Sequence, residues 1–279
     1  VITLHTSSET IDSILDSNLT ITTADLGCTL GPNTIFVLKN GSQSIVAQVQ
    51  RDKSIKQVSS KHLEAFGIKP RSAEQIAYMS YLMNDQIPLV VATGIAGSGK
   101  SLLAIAVALE KVIHEHGQQD KIILCKSLSE IGPHRLGIMP GGMMDKLEPY
   151  IDNYRFCLRK LFGQREGDFM MNKYEEQGTI IYKPINTLRG ISIENTIVII
   201  DEAQNLDSSV LRALGTRMGE GARLFLLGDT SQVDEKLKSS GMGRLSESEE
   251  IEQSELCSVI HLIRNERSPL SALLDKVLA

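Results

Sequence analysis

Leu89-Val-Val-Ala-Thr93 runs into Gly94-Ile-Ala-Gly-Ser-Gly-Lys-Ser101, and that into Leu102-Leu-Ala-Ile-Ala-Val-Ala-Leu109. The first block reads as a buried strand. The last opens a helix, spanning Lys100 to His114, that is apolar nearly all round at its start. The block between them fits G-x-x-x-x-G-K-[ST] in the strand-to-helix context this pattern requires. Its glycines let the backbone turn so that successive N–H groups face inward around phosphate oxygens, and the helix start adds partial positive charge. The expected phosphate-binding set is Gly94, Ile95, Ala96, Gly97, Ser98, Gly99, Lys100 and Ser101. Lys100 is expected on the β- and γ-phosphates and Ser101 on magnesium. A glycine-rich turn with an exposed lysine is the plainer alternative, and the flanking strand and helix count against it.

Thr196-Ile-Val-Ile-Ile-Asp201-Glu202 reads as a second buried strand, ending in two acids. Desolvated carboxylates are costly unless they serve a cation or a reaction. The C-terminal edge of an open α/β sheet is where ligands bind. Asp201 suits the magnesium shell and Glu202 a general base on the attacking water. The alternative is an acid pair at a helix start. An Asp followed by Glu points to ATPases that activate water, because a kinase takes its acceptor hydroxyl from the substrate. Leu227-Gly228-Asp229-Thr230-Ser231-Gln232 again ends a strand in polar groups, and Gln232 is placed to sense the γ-phosphate. Past the strand Val259–Leu262 comes Arg267, whose planar fork suits phosphate oxygens.

The chain has 279 residues, 42% of them hydrophobic, and a net charge of −5. That size and composition support one large domain and a small one. The charge gives no global basic footprint for nucleic acid. No apolar run is long enough to cross a bilayer, and Val1 to Thr10 lack the basic start and apolar core of a secretion signal. The chain begins without Met, as a fragment of a longer protein would. The cysteines at 28, 125, 157 and 257 fit neither a zinc site nor a redox pair, and Cys125 and Cys257 read as buried. A cytoplasmic setting follows. Residues 1–66 read as a small β-rich domain with a hairpin, Thr34–Lys39 and Ser44–Val49 around Asn40-Gly41. From Gly67 strands and helices alternate: helices over Ala73–Met83, Leu147–Leu161, Ser209–Met218 and Pro269–Leu278, strands at Lys121–Lys126, Thr179–Tyr182 and Arg223–Leu227. The expected class is α/β, a doubly wound, mostly parallel sheet over 67–279.

The ordered set Gly94–Ser101, Asp201-Glu-Ala-Gln204, Gly228-Asp-x-x-Gln232 and Leu262-x-x-Asn265-x-Arg267-Ser268 resembles the first ATPase lobe of superfamily-one helicases. A closer resemblance is to the PhoH-like family, especially members fused to a PIN nuclease domain. It is carried by Gly67-Ile-Lys-Pro-Arg-x-Ala-Glu-Gln75, Leu136-Gly137 with Pro140-Gly141, Leu188-Arg-Gly190, Asp201-Glu-Ala-Gln-Asn205 and Glu266-Arg-Ser-Pro-Leu270. The resemblance implies a RecA-like lobe, magnesium-dependent ATP hydrolysis and RNA unwinding or remodelling. It places Gln75 on the adenine edge, while Ser72-x-x-Gln75 is also a capping box. Two departures stand out. Glu266 occupies the place where helicases carry a base-stacking aromatic, so stacking must come from elsewhere or be weak. Ser127 to His134 lacks the Arg-Pro pair of the family, with Lys126 and Arg135 as substitutes. No acidic cluster of a PIN nuclease is recognisable.

The reading is therefore a RecA-like ATPase with Lys100, Glu202, Gln232 and Arg267 as catalytic residues, Ser101 and Asp201 on Mg2+, and Gln75 with Gly94–Ser101 on ATP. Single-stranded RNA is the expected partner, with Lys126, Arg135, Arg155 and Arg159 as local basic groups; the last two are four apart on one helix face or simply solvated. No membrane partner is expected. Between Arg267 and Ala279 there is room for one short helix and no second lobe, so a homo-oligomer, plausibly a hexameric ring, is expected to complete the site, with Arg217 as a trans donor or a helix-end cation. A P-loop phosphotransferase with Arg155, Arg159, Lys160 and Arg165 as a basic lid, and a non-enzymatic nucleotide-gated interaction module, are the alternatives.

Overall fold

The computed structural model describes residues 1–16, 19–115, 117–127, 143–163, 165–188, 190–233 and 240–266, with side chains in the helix from Met143 described from Ile151 onward. Arg135, Leu136-Gly137, Pro140-Gly141, Arg189, Arg267 and the Pro269–Leu278 helix lie outside these residues.

Ile2–His5 (β1), Ser8–Leu15 (α1), Ile35–Asn40 (β2), Gln43–Val49 (β3) and Ile55–Gln57 (β4) come first, and the strands pair in the order β1-β2-β3-β4. The expected hairpin is β2–β3, antiparallel; Asn40 pairs with Gln43, so the turn proper is Gly41-Ser42 rather than Asn40-Gly41. The helix α1 departs from the expectation of β structure throughout. Ser7 caps it by accepting from the Thr10 N–H at 3.1 Å. Ile11 and Ile14 are buried in one cluster with Phe36, Leu38 and Val49. Its β-branched content reads as strand, whereas its cap and its i, i+3 apolar spacing are helical.

The second sheet is built from Ala73–Met83 (α2), Leu89–Gly94 (β5), Lys100–Leu109 (α3, prolonged by a π-helical turn over Glu110–His114), Lys121–Lys126 (β6) and Met143–Phe162 (α4). Gly167–Glu176 (α5), Ile180–Tyr182 (β7), Ile185–Leu188 (α6), Thr196–Asp201 (β8), Ser208–Gly215 (α7), Arg223–Gly228 (β9), Gly241–Ser246 (α8), Glu249–Glu252 (α9) and Cys257–Leu262 (β10) complete it. Its six strands are all parallel, in the order β10-β5-β9-β8-β6-β7. Strands β8 and β9 are buried along their whole length, which is why they read as near-continuous apolar runs. One face packs Tyr78, Leu82, Ile105, Leu109, Tyr154 and Leu158 from α2, α3 and α4. The other packs Leu211 and Leu214 of α7 with Met242 of α8.

The two sheets meet. Ile35 and Ala65 share the main core, and the Ile35 N–H donates to Tyr81 Oη at 3.0 Å. Asn33 Nδ2 donates to the Glu255 carbonyl at 3.0 Å, beside the start of β10.

At the opposite end from the polar motifs, β9 opens on Arg223, which is only 1% exposed. Its guanidinium donates to the carbonyls of Leu82 (2.5 Å), Asn84 (2.9 Å), Ile87 (3.0 Å) and Tyr81 (3.1 Å), gathering carbonyls at and just beyond the end of α2. Burial pulls its pKa down to about 10, with Asp85 opposing, so it stays charged at neutral pH. Arg223→Met is expected to strand those carbonyls and lower stability by about 3 kcal/mol, read as a lower urea midpoint. A wild-type midpoint would mean that water satisfies them.

Candidate active site

Parallel pairing sets the ends of the strands side by side. Gly94 pairs with Leu262, Thr93 with Gly228, and Lys126 with Asp201, so the sequence motifs fall on one edge of the sheet. The approach is tight where β5 leaves the sheet. Gly94 has φ 143°, and a Cβ there would stand 2.0 Å from the Leu262 carbonyl oxygen. A side chain at this point would push β10 away from β5.

The loop after Gly94 encloses its lysine. Lys100 Nζ donates to the carbonyls of Gly94 (2.5 Å) and Ile95 (2.9 Å) and reaches Ser98 Oγ at 3.4 Å. Ser101 Oγ donates to Asp201 Oδ2 at 3.1 Å, and Asn153 Nδ2 of α4 donates to the same oxygen at 3.2 Å. Tyr154 binds both neighbouring strands: its hydroxyl donates to the Cys125 carbonyl and accepts from the Asp201 N–H at 3.1 Å. Asp201 is only 7% exposed. Burial pushes its carboxyl above the usual range, the Glu202 charge adds to this, and the Ser101 hydrogen bond opposes it. A buried acid beside a hydroxyl and a second acid is a donor set that fits a hard cation. Among the described residues no group of three or more His, Cys, Asp or Glu could hold a metal.

Glu202 sits in the left-handed region at φ 56°, a strained place for a non-glycine residue. Its side chain is held by Gln204, whose Nε2 donates to Glu202 Oε2 at 2.8 Å. Gln204 Oε1 accepts from the Asp229 N–H at 3.1 Å, so one buried amide ties the end of β8 to the end of β9. Asp229 Oδ1 in turn accepts from the N–H and hydroxyl of Ser231, and the Gln232 N–H donates to the Asp229 carbonyl at 3.0 Å. Gln204 stood in the quoted motif, but spacing alone did not give it this role.

A cleft of about 980 Å³ opens on these groups; Gln75, Ala96 to Leu103, Asp201, Glu202 and Gln232 are among its walls. Gln75 Oε1 accepts from the Arg71 N–H and its Nε2 donates to the Ser98 carbonyl, both at 2.9 Å. Its amide thus ties the phosphate loop to the start of α2, and the reciprocal bond of the capping box goes to Arg71 rather than Ser72. Glu266 donates its N–H to the Gly97 carbonyl at 3.0 Å, bringing the chain after β10 onto the loop. The basic helix face is not assembled as expected. Arg159 Nε donates to Asp168 Oδ1 at 2.6 Å, and the Arg155 guanidinium lies 5.9 Å from the centre of the Tyr182 ring. Neither lines the cleft, nor does Arg217, which is exposed. Asn153, Phe156 and Lys160 of α4 do line it. Sequence reasoning missed the first two, because a lone Asn and a lone Phe on a largely polar helix face carry no local signal of a cleft.

The edge leaves little slack at Gly228. A Cβ there would stand 2.3 Å from Gln204 Oε1, 2.9 Å from Met242 Sδ and 3.0 Å from the Gln204 backbone nitrogen. Gly228→Ala is expected to lower the Tm by about 5 °C by forcing Gln204 and β9 apart. An unchanged Tm would show that Gln204 can move without cost.

Residues 67–278 match the family described as PhoH-like protein. The chain is 33% identical over 235 residues to Protein PhoH2 of Thermobispora bispora, covering 84% of this chain and 52% of that protein. It is 30% identical over 277 residues to Protein PhoH2 of Mycolicibacterium smegmatis, covering 99% of this chain and 61% of that protein. The chain thus spans a little over half the length of these relatives. A Sulfolobus solfataricus SWI2/SNF2 ATPase core solved in complex with dsDNA aligns over 61% of this chain and 34% of that one, with a TM-score of 0.37 and 15% identity, too distant to bear on function. No helix among the described residues is long and apolar enough to cross a membrane. With a parallel six-stranded α/β sheet, a phosphate loop at its edge and a family match over most of its length, the chain belongs to the PhoH-like family of P-loop proteins.

Proposed function

We propose that this chain binds ATP with magnesium in the cleft at the sheet edge, hydrolyses it to ADP and phosphate, and couples the reaction to single-stranded RNA. The observation that carries the hydrolytic reading is the placement of Ser101, Asp201 and Glu202 on one cleft with Lys100, and of Gln204 as a brace behind Glu202. Ser101 and Asp201 would hold magnesium, whose charge neutralises the phosphate oxygens. Lys100 would exchange its loop carbonyls for the β- and γ-phosphates. Glu202 would take the proton of the water whose oxygen attacks the γ-phosphorus, while the bond to the β-phosphate oxygen breaks and leaves ADP. Gln232 would sense the γ-phosphate, Arg267 would stabilise transition-state charge, and Gln75 would meet the adenine edge.

The RNA partner rests on the family and on Lys126 at the sheet edge beside Asp201. Assembly into a homo-oligomer, with a hexameric ring as one closed form, belongs to the same proposal, since an arginine supplied in trans could reach the γ-phosphate. Residues 1–66 and 67–279 would act as separate domains within this assembly.

Glu202→Gln tests the chemistry. It is expected to retain ATP binding, measured by calorimetry, and to lose phosphate release by about a hundredfold or more, because the amide cannot take a proton. Normal turnover would assign the water to another group. Lys100→Ala is expected to abolish turnover and weaken ATP binding together; wild-type values for both would remove the loop from the mechanism. Single-stranded RNA is expected to raise the ATPase rate, with an affinity that falls as salt rises. No stimulation by any single strand, or salt-independent binding, would sink the coupling.

A further inference from the structure

Phe156 is 66% exposed, an unusual state for a phenylalanine. Of the large apolar side chains that stand exposed among the described residues, it is the one that lines the cleft, and it is the only aromatic residue among the cleft walls described. Its position is set from both sides along α4. Before it, in the middle of the helix, Asn153 and Tyr154 bind Asp201 and the Cys125 carbonyl. After it, at the helix end, the Phe162 ring meets Phe66 edge-on at 5.4 Å, directly before Gly67 to Arg71, which form another wall of the same cleft. Ile151, Tyr154 and Leu158 point into the core, so the helix cannot turn Phe156 away. Asn153, Phe156 and Lys160 follow one another over about 10 Å of helix axis, on the scale of a nucleoside triphosphate.

The cleft walls carry two kinds of chemistry. Lys100, Ser101 and Asp201 are polar, while Leu102, Ile68, Pro70 and Phe156 offer apolar surface suited to a flat ring. Gln75 holds Arg71 and Ser98 with its amide and has one N–H and one lone pair left for a base edge, which gives no stacking surface, and Glu266 stands where an aromatic was expected. We infer that Phe156 of α4 stacks on the base of the bound nucleoside triphosphate. This rests on the reading of the phosphate loop as the triphosphate site. Every base has a π-face, so stacking supplies affinity without choosing adenine over guanine.

Because Phe156 is exposed, its truncation leaves the core intact. Phe156→Ala is expected to raise the Kd for Mg-ATP about tenfold and to leave the Kd for magnesium tripolyphosphate, which has no base, unchanged. The chain contains no tryptophan. In Phe156→Trp the indole is therefore the sole one, and its emission is expected to be quenched by ATP and GTP and to ignore tripolyphosphate. ATP binding by Phe156→Ala at wild-type affinity would overturn the inference, and so would Trp emission indifferent to bound ATP. Equal weakening toward ATP and tripolyphosphate would also overturn it, by showing a distortion of α4. Failure of the unaltered chain to bind either ligand would instead overturn the phosphate-loop reading beneath it.

Discussion

In a parallel sheet every strand runs the same way, and here that direction puts the polar strand ends on one edge. Gly94 opposite Leu262, Thr93 opposite Gly228 and Asp201 opposite Lys126 are consequences of ladder pairing, with no dedicated contact needed to bring the motifs together. The strands can be apolar to their last residue because helices cover both faces. Only at the C-terminal edge do backbone and side-chain polar groups face a common space. A carboxylate as buried as Asp201 would be a large electrostatic cost anywhere else in the core. At this edge it meets Ser101, Asn153 and the Glu202 N–H, which lower that cost.

The same edge is stiff across its strands. Gln204 connects Glu202 to the backbone of Asp229, and Gly228 is bare because Gln204 occupies the volume of a side chain there. The left-handed backbone at Glu202 survives because the carboxylate and the following turn are both held. A displacement of β9 would therefore act on the Glu202 carboxylate through one amide. The segment after β10 reaches the other side of the site, since Glu266 bonds the Gly97 carbonyl. Chemistry at the edge and the disposition of its outer strands are coupled through these few bonds.

Much of this was legible in the sequence, for identifiable reasons. Lys121–Lys126 and Ala73–Met83 were readable to the residue, because a continuous apolar run bounded by charges and a capped helix start are strong local signals. Local signals failed at Ser8–Leu15, where β-branched residues outvote the cap. They also failed for side-chain commitments. Arg155 and Arg159 share a helix face by spacing, yet Tyr182 and Asp168 take them up, and those partners come from elements that spacing cannot place. From the sequence Gln75 reads as an adenine contact or as the last residue of a capping box. That its amide joins Arg71 to Ser98 depends on how α2 docks on β5, a tertiary fact.

Helix α4 shows how a wall of the site is made part of the core. Tyr154 is fully buried, and its hydroxyl takes the Asp201 N–H while giving its proton to Cys125, so one phenol satisfies the ends of β8 and β6. A helix docked only by apolar contact could slide along the sheet by small steps, because such contact is not directional. The two bonds of Tyr154 and the bond from Asn153 remove that freedom where Asp201 lies. The aromatic group of Phe66, Phe162 and Tyr174 then settles the far end, with Phe162 stacked 5.7 Å from Tyr174 of α5. The exposed ring of Phe156 sits between two fixed points, and its entropy cost of ordering on a ligand is that of two side-chain torsions rather than of a mobile helix.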